Sequence, residues 1–377
     1  MKVLVSAYFI KHGRVGGAEY MLYNLVFGLL KSGVEVVFLT DNKCRISEKF
    51  IEDSRVYPNF KLTECGFGFS RFLNEFMVGL FYKEKADAII FPNYFRPPFV
   101  ASRFGTVLTV IHDFQYRSFP EYFSFHKRIW LRLCHKITMT FSGQIVVISR
   151  FVKDHALELY GAKKDSKVAV VHNPISWGRF SHQVCSVIPM KRRKYLLSVC
   201  AHYPHKNLNT LLLGYAKLLE QRQDLDLILV GQRPEFLSKH LAKGSDLSKI
   251  IEDLGLENFV KFTGHVSDEQ LAVWYKNAEV FLFPSIFEGF GMPPVEALGL
   301  GIKTIVSDLS PLTEVTHDRA IYVKDYMDPN AWCFTINQAL ESDDNGLSID
   351  DVDFIQNFYS PACIANKYIS LMSKSQV

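Results

Sequence analysis

The sequence predicts an α/β protein built from two successive Rossmann-like domains, each with a parallel sheet covered by helices on both faces. Short apolar runs alternate with longer helical patterns over most of the chain, which is typical of strands connected by helices. This alternation stops at an irregular stretch near the middle of the chain and then restarts. A chain of 377 residues is also too long for one ordinary core, so two domains of similar size are expected.

The strand candidates fall into two sets, one on each side of the irregular stretch. They cover residues 3–8, 34–39, 88–91, 106–111, 143–148 and 168–171, and then residues 195–199, 225–230, 260–262, 280–283, 304–307 and 320–323. They predict a first domain at 1–173, a linker at 174–194, a second domain at 195–360 and a C-terminal helix at 361–377 that could pack back on the first domain. Two such domains facing each other across a cleft would bind ligands at the carboxyl ends of their strands.

The charge is unevenly distributed along a chain of ordinary globular composition. Apolar residues make up 48% and charged residues 22%, and the formal net charge is +4. Residues 1–175 hold 24 Lys and Arg against 15 Asp and Glu, whereas the remainder holds 19 against 24. A basic first half indicates an anionic partner, either a membrane surface or a charged substrate, and no feature indicates nucleic acid.

Cysteine usage and hydropathy favour a cytoplasmic protein that is at most peripheral at the inner face of the membrane. The seven cysteines are scattered without a C-x-x-C pair, which fits reduced thiols better than disulfides or zinc. No apolar run reaches the ~18–20 residues needed to span a bilayer. The opening residues 2–11 are interpreted as a buried first strand rather than a signal peptide.

The strongest local motif is a glycine-rich loop, residues 284–297, that follows an apolar strand and enters a helix. Gly289 and Gly291 would expose backbone amides to sugar hydroxyls or phosphates. Glu288 and Glu296 stand eight positions apart, and carboxylates accept hydrogen bonds from vicinal diols such as those of ribose. The ordinary alternative is a helix-cap loop with a solvated glutamate, which does not explain both glutamates and both glycines together.

Three weaker motifs also lie at strand ends. Gly16 and Gly17 precede a helix and could bring backbone amides close to an anionic group, although a plain tight turn is the alternative. His112 follows a strand and could donate to a sugar hydroxyl, or it could be structural. His205 and Lys206 lie between a strand and a helix, where the ammonium and the helix dipole would suit a diphosphate; most lysines, however, are simply solvated.

The segment E-G-F-G-M-P-P-V-E at 288–296 resembles the E-x7-E signature of glycosyltransferase family 4, whose members are retaining enzymes with the GT-B fold. The resemblance extends over nearly the whole chain, because further matches occur in the family's order. They lie at residues 16–19, 112–113, 147–151, 171–174, 204–207, 260–264 and 307–315.

This resemblance implies a metal-independent transferase without a cofactor, in which the nucleotide-sugar is a substrate. Catalytic roles would fall to Glu288, His112 and Lys206, the last neutralising charge on the departing diphosphate. The donor-binding residues would be Glu296 at the ribose hydroxyls, together with Phe290, Gly291, Met292, Gly16, Gly17, His205 and Gly264. Ala201 departs from the pattern, since many members of the family place there an arginine that completes a basic clamp with the lysine. Either His202 or His205 could compensate, or the diphosphate could rely on Lys206 and backbone amides.

Residues 112–115 and 120–124 are similar to those of bacterial mannosyltransferases of polysaccharide assembly, so the expected donor is GDP-mannose. A UDP-sugar remains the alternative donor. The alternative functions are a nucleotide-sugar epimerase, a phosphorylase and a non-catalytic nucleotide-sugar-binding or scaffold subunit. The expected acceptor is a glycan or a lipid-linked saccharide. Residues 60–80 and 94–104 are interpreted as acceptor loops that carry no recognisable chemistry.

One further segment predicts contact with a membrane. Residues 125–136 place basic side chains near one helical face, while Ile129, Leu133 and Ile137 recur with the same period and Trp130 could lie at a headgroup interface. An ordinary amphipathic helix packed on the first domain is the alternative. The basic first half of the chain favours contact with anionic lipid.

Overall fold

The chain folds into two compact units in the computed structural model, which describes residues 1–10, 16–66, 70–180, 193–232, 247–342 and 346–374. The first unit comprises Met1–Ser176 and Phe358–Val377, and the second comprises Trp177–Asn357. In each unit the described strands form one parallel sheet, because every strand is followed by a crossover segment rather than a tight hairpin.

The first unit contains a seven-stranded sheet with the order β3-β2-β1-β4-β5-β6-β7. Its central strands are near-continuous apolar runs, and helices cover them so that both faces are buried. The strands are β1 (Lys2–Ser6), β2 (Glu35–Thr40), β3 (Phe60–Glu64), β4 (Ala88–Phe91), β5 (Thr106–Ile111), β6 (Gln144–Val147) and β7 (Val168–Val170). The helices between them are α1 (Gly17–Lys31), α2 (Glu48–Arg55), α3 (Arg71–Phe81), α4 (Gln115–Ser118), α5 (Phe125–Phe141) and α6 (Arg150–Tyr160).

The second unit contains a six-stranded sheet with the order β10-β9-β8-β11-β12-β13. Its strands are β8 (Lys194–Val199), β9 (Leu225–Val230), β10 (Val260–Gly264), β11 (Val280–Phe283), β12 (Thr304–Ser307) and β13 (Ile321–Val323). Its helices are α7 (Leu208–Leu219), α8 (Leu247–Asp253), α9 (Asp268–Lys276), α10 (Met292–Gly299), α11 (Leu312–Thr316), α12 (Pro329–Glu341) and α13 (Ile349–Phe358).

Strand β3 and helix α3 occupy most of the segment that the sequence suggested was an acceptor loop at 60–80. Strand β3 lies at the edge of the sheet and pairs only with β2, and its side chains are half-exposed or exposed. A half-exposed edge strand does not produce a continuous apolar run, so the periodicity that identified the buried strands did not reveal it.

The C-terminal helix α14 (Pro361–Lys374) belongs to the first unit and packs on α1. The two helices approach closely at Gly28, where an added Cβ would lie 2.1 Å from the carbonyl oxygen of Pro361. The hydroxyl of Thr106 on β5 donates to the carbonyl of Met372 at 2.9 Å. The chain therefore returns to its first sheet after completing the second unit.

The boundary between the units lies at residues 176 and 177, inside the predicted linker of 174–194. Trp177 belongs to the second unit because its indole nitrogen donates to the carbonyl of Gln356 at 2.9 Å and its ring packs against Gly299. Residues 181–192 of the predicted linker lie outside the described residues.

In the part of the chain that the structure describes, no helix is both long enough and apolar enough to cross a lipid bilayer.

Candidate active site

The candidate site of the second unit lies where its strand order reverses. The chain moves from β8 outward to β9 and β10, and then returns to place β11 on the other side of β8. The loops that follow β8 and β11 therefore diverge from neighbouring strands at the carboxyl edge of the sheet. Open parallel sheets bind their ligands at such a switch point. Lys206 follows β8 and Glu288 follows β11.

Hydrogen bonds fasten these two loops to each other. The backbone nitrogen of Ile286 donates to the carbonyl of His205 at 2.8 Å, and the Ser285 hydroxyl lies 3.1 Å from the same oxygen. Asn207, which follows the short helical turn Pro204–Lys206, adopts a left-handed conformation with φ of 55°. Asparagine tolerates this conformation better than most residues, and it redirects the chain into α7.

Lys206 and Glu288 form an ion pair at the centre of the site. The Lys206 ammonium donates to a carboxylate oxygen of Glu288, and both side chains are largely buried, at 14% and 13% exposure. The ammonium also lies 5.2 Å from the centre of the Phe283 ring. Because a mostly buried charge is costly without a partner, each group compensates the other. The structure thus brings together two residues that the sequence placed separately.

His205 is a neutral side chain beside this pair. Its burial, together with the nearby Lys206 charge, lowers its pKa to about 3. His205 therefore carries no charge near neutral pH, and it cannot supply the second positive charge that Ala201 leaves out. Its ring remains able to form hydrogen bonds and stacks on Tyr203 at a centroid distance of 5.5 Å. Cys200, which directly follows β8, is also buried, and burial raises the pKa of its thiol to about 12.

Glu296 lies in α10 with only 4% exposure, and both of its oxygens have partners. The Tyr275 hydroxyl donates to one oxygen at 3.1 Å, and Arg179 donates to the other at 3.3 Å. Arg179 also pairs with Asp268 at 3.5 Å and packs over the Phe180 ring at 4.7 Å. Each carboxylate oxygen has two lone pairs, so Glu296 keeps capacity to accept hydrogen bonds from a diol.

Arg179 is a site residue that sequence reasoning missed, because it falls in the segment that was interpreted as linker. In the structure it lies in a short helical turn, Trp177–Phe180, at the start of the second unit. The local sequence Trp177-Gly178-Arg179-Phe180 shows only a basic residue close to two aromatic ones, which does not identify a partner.

The glycine-rich loop reaches α10 through Gly291, whose φ of 93° suits glycine. An added Cβ there would lie 2.7 Å from Leu312, so the position has room for little else. Phe290 is buried and Met292 begins α10, whose N-terminal end favours anionic groups. Gly264 ends β10 with φ of 70°, and its carbonyl accepts from Gly231 at 3.0 Å.

The sequence candidates of the first unit are partly occupied by internal contacts. The Gly16 amide donates to the Glu19 carboxylate at 3.2 Å, so this amide caps α1 rather than pointing to a ligand. Burial raises the pKa of Glu19 to about 7. Gly17 begins α1, whereas residues 11–15 of the same loop lie outside the described residues.

His112 follows β5 and is half-buried, with its Nε2 2.8 Å from the carbonyl oxygen of Pro92. Burial lowers the pKa of His112, so the ring is neutral and its Nε2 hydrogen is donated to that carbonyl. Nδ1 is then an acceptor. The donation to a sugar hydroxyl that the sequence suggested would have to come from the nitrogen already used, so the geometry supports acceptance from a hydroxyl instead.

A polar cluster that the sequence did not indicate lies at the switch point of the first sheet, between β1 and β4. Glu75 on α3 is fully buried and accepts from Ser6 and from Arg71, each at 3.2 Å. Burial raises the pKa of Glu75. Arg71 also donates to the carbonyl of Asn93 at 2.9 Å and packs over the Tyr94 ring at 5.1 Å. Arg71 and Glu75 fall inside the segment 60–80, and Tyr94 begins the segment 94–104, both of which the sequence suggested were acceptor loops without recognisable chemistry.

Among the described residues, no three His, Cys, Asp or Glu side chains come together in an arrangement that could hold a metal ion.

Two family models match successive parts of the chain. A model described as glycosyltransferase family 4 matches residues 15–177, and one described as glycosyl transferases group 1 matches residues 187–358. Among curated relatives, the O-antigen chain mannosyltransferase RfbU of Salmonella typhimurium is 28% identical over 213 residues, or 56% of this chain. The O-antigen chain mannosyltransferase B of Escherichia coli is 27% identical over 67% of this chain. The matched regions span only 55% and 65% of these relatives' lengths.

Solved structures resemble the chain over nearly its full length. Sucrose-phosphate synthase from Thermosynechococcus elongatus matches with a TM-score of 0.74 and 18% identity, covering 99% of this chain and 98% of that one. WaaG, a glycosyltransferase involved in lipopolysaccharide biosynthesis, matches with a TM-score of 0.67 and 13% identity, covering 99% of each chain. At these identities the likeness concerns the fold. With its two Rossmann-like units, the chain has the GT-B fold.

Proposed function

The chain belongs to glycosyltransferase family 4, and we propose that it is a retaining glycosyltransferase that moves mannose from GDP-mannose to a glycan or lipid-linked saccharide during cell-surface polysaccharide assembly. The observation that carries this proposal is the Lys206–Glu288 pair at the switch point of the second unit. The two O-antigen mannosyltransferases among its relatives support mannose as the transferred sugar. A UDP-sugar is the alternative donor.

The donor would bind at the carboxyl edge of the second sheet. Glu296 is held in place by Tyr275 and Arg179, and it would accept hydrogen bonds from the ribose hydroxyls. Glu288 and the backbone of Phe290, Gly291 and Met292 would hold the sugar. Hydrogen bonds join this loop to the loop after β8. The sugar and the diphosphate would therefore bind to two loops whose relative position is fixed.

Charge on the leaving diphosphate would be met by Lys206 and by the N-terminal end of α10. An ammonium in a largely buried site stabilises developing negative charge far better than one in water. When the diphosphate enters, the ammonium would exchange its contact with Glu288 for contacts with phosphate oxygens, which frees the glutamate for the sugar. The reaction would retain configuration by attack on the face from which the diphosphate leaves, so no side chain is assigned as nucleophile.

The acceptor would bind on the first unit. Arg71, which the buried Glu75 holds in place, and His112 lie at the carboxyl edge of the first sheet, where they would offer hydrogen-bonding groups to sugar hydroxyls. Because His112 presents an acceptor nitrogen, it would receive a hydrogen bond from a hydroxyl. We further propose that the reaction takes place in the cytoplasm, because seven scattered cysteines without a C-x-x-C pair fit reduced thiols.

Thermal unfolding with nucleotide-sugars tests the proposed function. GDP-mannose and GDP are expected to raise the melting temperature more than UDP-, ADP- or dTDP-sugars, since a ligand at about 100 times its Kd stabilises the folded state by about 2.7 kcal/mol. Release of GDP from GDP-mannose should then depend on added acceptor. Stabilisation by nucleotide without any acceptor-dependent release would instead identify a non-catalytic binding subunit, and stabilisation by UDP-sugars alone would exclude GDP-mannose as donor.

Activity is expected to survive excess EDTA, because Lys206 and backbone amides would meet the charge of the leaving diphosphate. The measurement compares initial rates with EDTA, with Mg²⁺ and with Mn²⁺ at saturating donor. A loss of more than about tenfold in EDTA that Mn²⁺ or Mg²⁺ restores would contradict the proposed leaving-group chemistry.

A further inference from the structure

Helix α5 exposes several large apolar side chains on one side of the first unit. Phe125, Ile129 and Leu133 are 63%, 49% and 47% exposed, and Trp130 and Phe141 are exposed as well. Basic side chains are interspersed among them: those of Lys127, Arg132 and Lys136 are exposed, and that of Arg128 is half-buried. We call this set of apolar and basic side chains the α5 surface.

The opposite face of α5 is firmly anchored in the first unit. His135 is buried, donates from Nδ1 to the carbonyl of Leu131 at 2.8 Å, and stacks between the rings of Tyr94 and Tyr116. Burial lowers its pKa to about 4, so the ring is neutral. Thr138 donates to the carbonyl of Tyr94 at 2.8 Å. The exposed face is therefore a fixed feature of the folded unit, since its inner face already has partners.

Neighbouring segments extend the apolar part of the α5 surface. The Trp130 ring contacts Phe72 of α3 edge to face at a centroid distance of 4.8 Å. At the other end of α5, Phe141 lies 6.2 Å from Phe99, which is 64% exposed. Phe81 at the end of α3 is 57% exposed. Single exposed apolar residues are ordinary, whereas a group that continues across adjacent elements indicates an interaction site.

The charges of this region identify the partner. Helix α5, all of whose residues the structure describes, contains no Asp or Glu, and the only acidic residue of α3 is Glu75, which is buried against Arg71. Lys127 and Arg128 lie over the rings of Phe123 and Phe125 at 5.0 and 5.8 Å, so the cations border the apolar side chains. Two copies of such a surface would repel each other, which disfavours self-association through it.

We infer that the α5 surface docks the first unit on an anionic lipid bilayer, with α5 lying in the plane of the interface. Its aromatic and aliphatic side chains would enter the boundary between headgroups and acyl chains, and its lysines and arginines would contact anionic headgroups. The inner face of α5 contacts Tyr94, in the loop after β4, and Tyr116, in the short helix α4 that follows β5. A saccharide on a lipid carrier would thus reach the proposed acceptor edge from the bilayer, a consequence that rests on the proposed function.

Vesicle sedimentation tests the docking with the full chain. Wild type is expected to bind vesicles of phosphatidylcholine with phosphatidylglycerol, and to bind weakly at high salt or to phosphatidylcholine alone. Arg132→Glu with Lys136→Glu should weaken binding by at least about tenfold. Ile129→Ser with Leu133→Ser should weaken it by a similar factor without removing its salt dependence. The matched control, Lys31→Glu with Arg55→Glu, reverses two exposed charges at the far side of the sheet and should bind like wild type.

Several outcomes would overturn the inference. They are absence of wild-type binding to anionic vesicles, equal binding by all variants, and an equal loss in the control pair, which would indicate net charge rather than this surface. Light scattering tests whether wild type is a dimer that the serine variants dissociate. If loss of the dimer accounts for the loss of binding, the α5 surface is an interface with a second copy of the chain. Stabilisation by nucleotide, measured on the same variants, should stay at the wild-type level, so failure of the docking and failure of the proposed function give separate readouts.

Discussion

Replacing Lys206 by methionine is expected to lower turnover by about 10²–10³-fold while leaving acceptor binding unchanged. The ammonium is the one cation that the described loops place beside Glu288, and removal of a charge that stabilises a developing anion costs about that factor. His205 cannot substitute, because burial keeps it neutral. The measurement is kcat at saturating donor and acceptor, with donor affinity determined separately by calorimetry.

The same substitution should also destabilise the second unit, and this provides a control for a merely structural role. Lys206→Met leaves the Glu288 carboxylate largely buried without its partner, which costs up to about 3–5 kcal/mol. Adding Glu288→Gln removes the uncompensated charge and should restore much of the stability, but not the turnover. If turnover returned together with stability in the double variant, Lys206 would be a structural residue.

A matched surface pair sets the baseline for these changes. Lys194 and Glu279 form a lysine–glutamate contact at 3.3 Å in the same unit, but the Lys194 side chain is 64% exposed. Exposed pairs contribute about 0–1 kcal/mol. Lys194→Met should therefore leave both stability and turnover close to wild type, so an effect comparable to that of Lys206→Met would indicate a general response to loss of charge.

The sequence predicted the buried strands well because their physical signal is strong and local. All six strand candidates of the second half correspond to β8–β13, and the six of the first half correspond to β1, β2 and β4–β7. Most of these are short apolar runs with buried residues, and the half-buried strands β7, β10 and β13 each keep one buried residue. Strand β3 gave no such signal because none of its residues is buried and its apolar side chains alternate with polar ones.

The site was predictable in its parts and not in its pairings. Periodicity placed Lys206 and Glu288 after strands, but the contact between them depends on β8 and β11 being neighbours, which is a property of strand order. The partnership of Glu296 with Arg179 joins residues 117 positions apart, from a segment interpreted as linker. The Gly16–Glu19 contact spans only three residues and has the spacing of a capping box, but the sequence analysis assigned the Gly16 amide to a ligand instead.

The second large effect is expected at Glu296, where Glu296→Gln should weaken donor binding about 10–100-fold, or about 1–3 kcal/mol, with a smaller change in kcat at saturating donor. The amide keeps the shape of the side chain but loses the charge and one acceptor oxygen. Tyr275→Phe removes only one hydrogen bond to Glu296 and should cost about 0.5–1.5 kcal/mol of stability with little change in donor Kd.

These two variants separate a ribose-binding glutamate from a structural one. If Glu296 served only to partner Arg179 and Tyr275, then Glu296→Gln would lower the melting temperature and leave the Kd for GDP as in wild type. If Glu296 binds the ribose, the main effect should instead be on affinity. GDP and GDP-mannose should then lose affinity by the same factor, because both carry the ribose. Calorimetric titration with GDP, GDP-mannose and mannose 1-phosphate gives the decisive comparison. Mannose 1-phosphate lacks the ribose, so its affinity should be unchanged by Glu296→Gln. An equal loss of affinity for all three ligands would show that the substitution disturbs the whole loop rather than one contact.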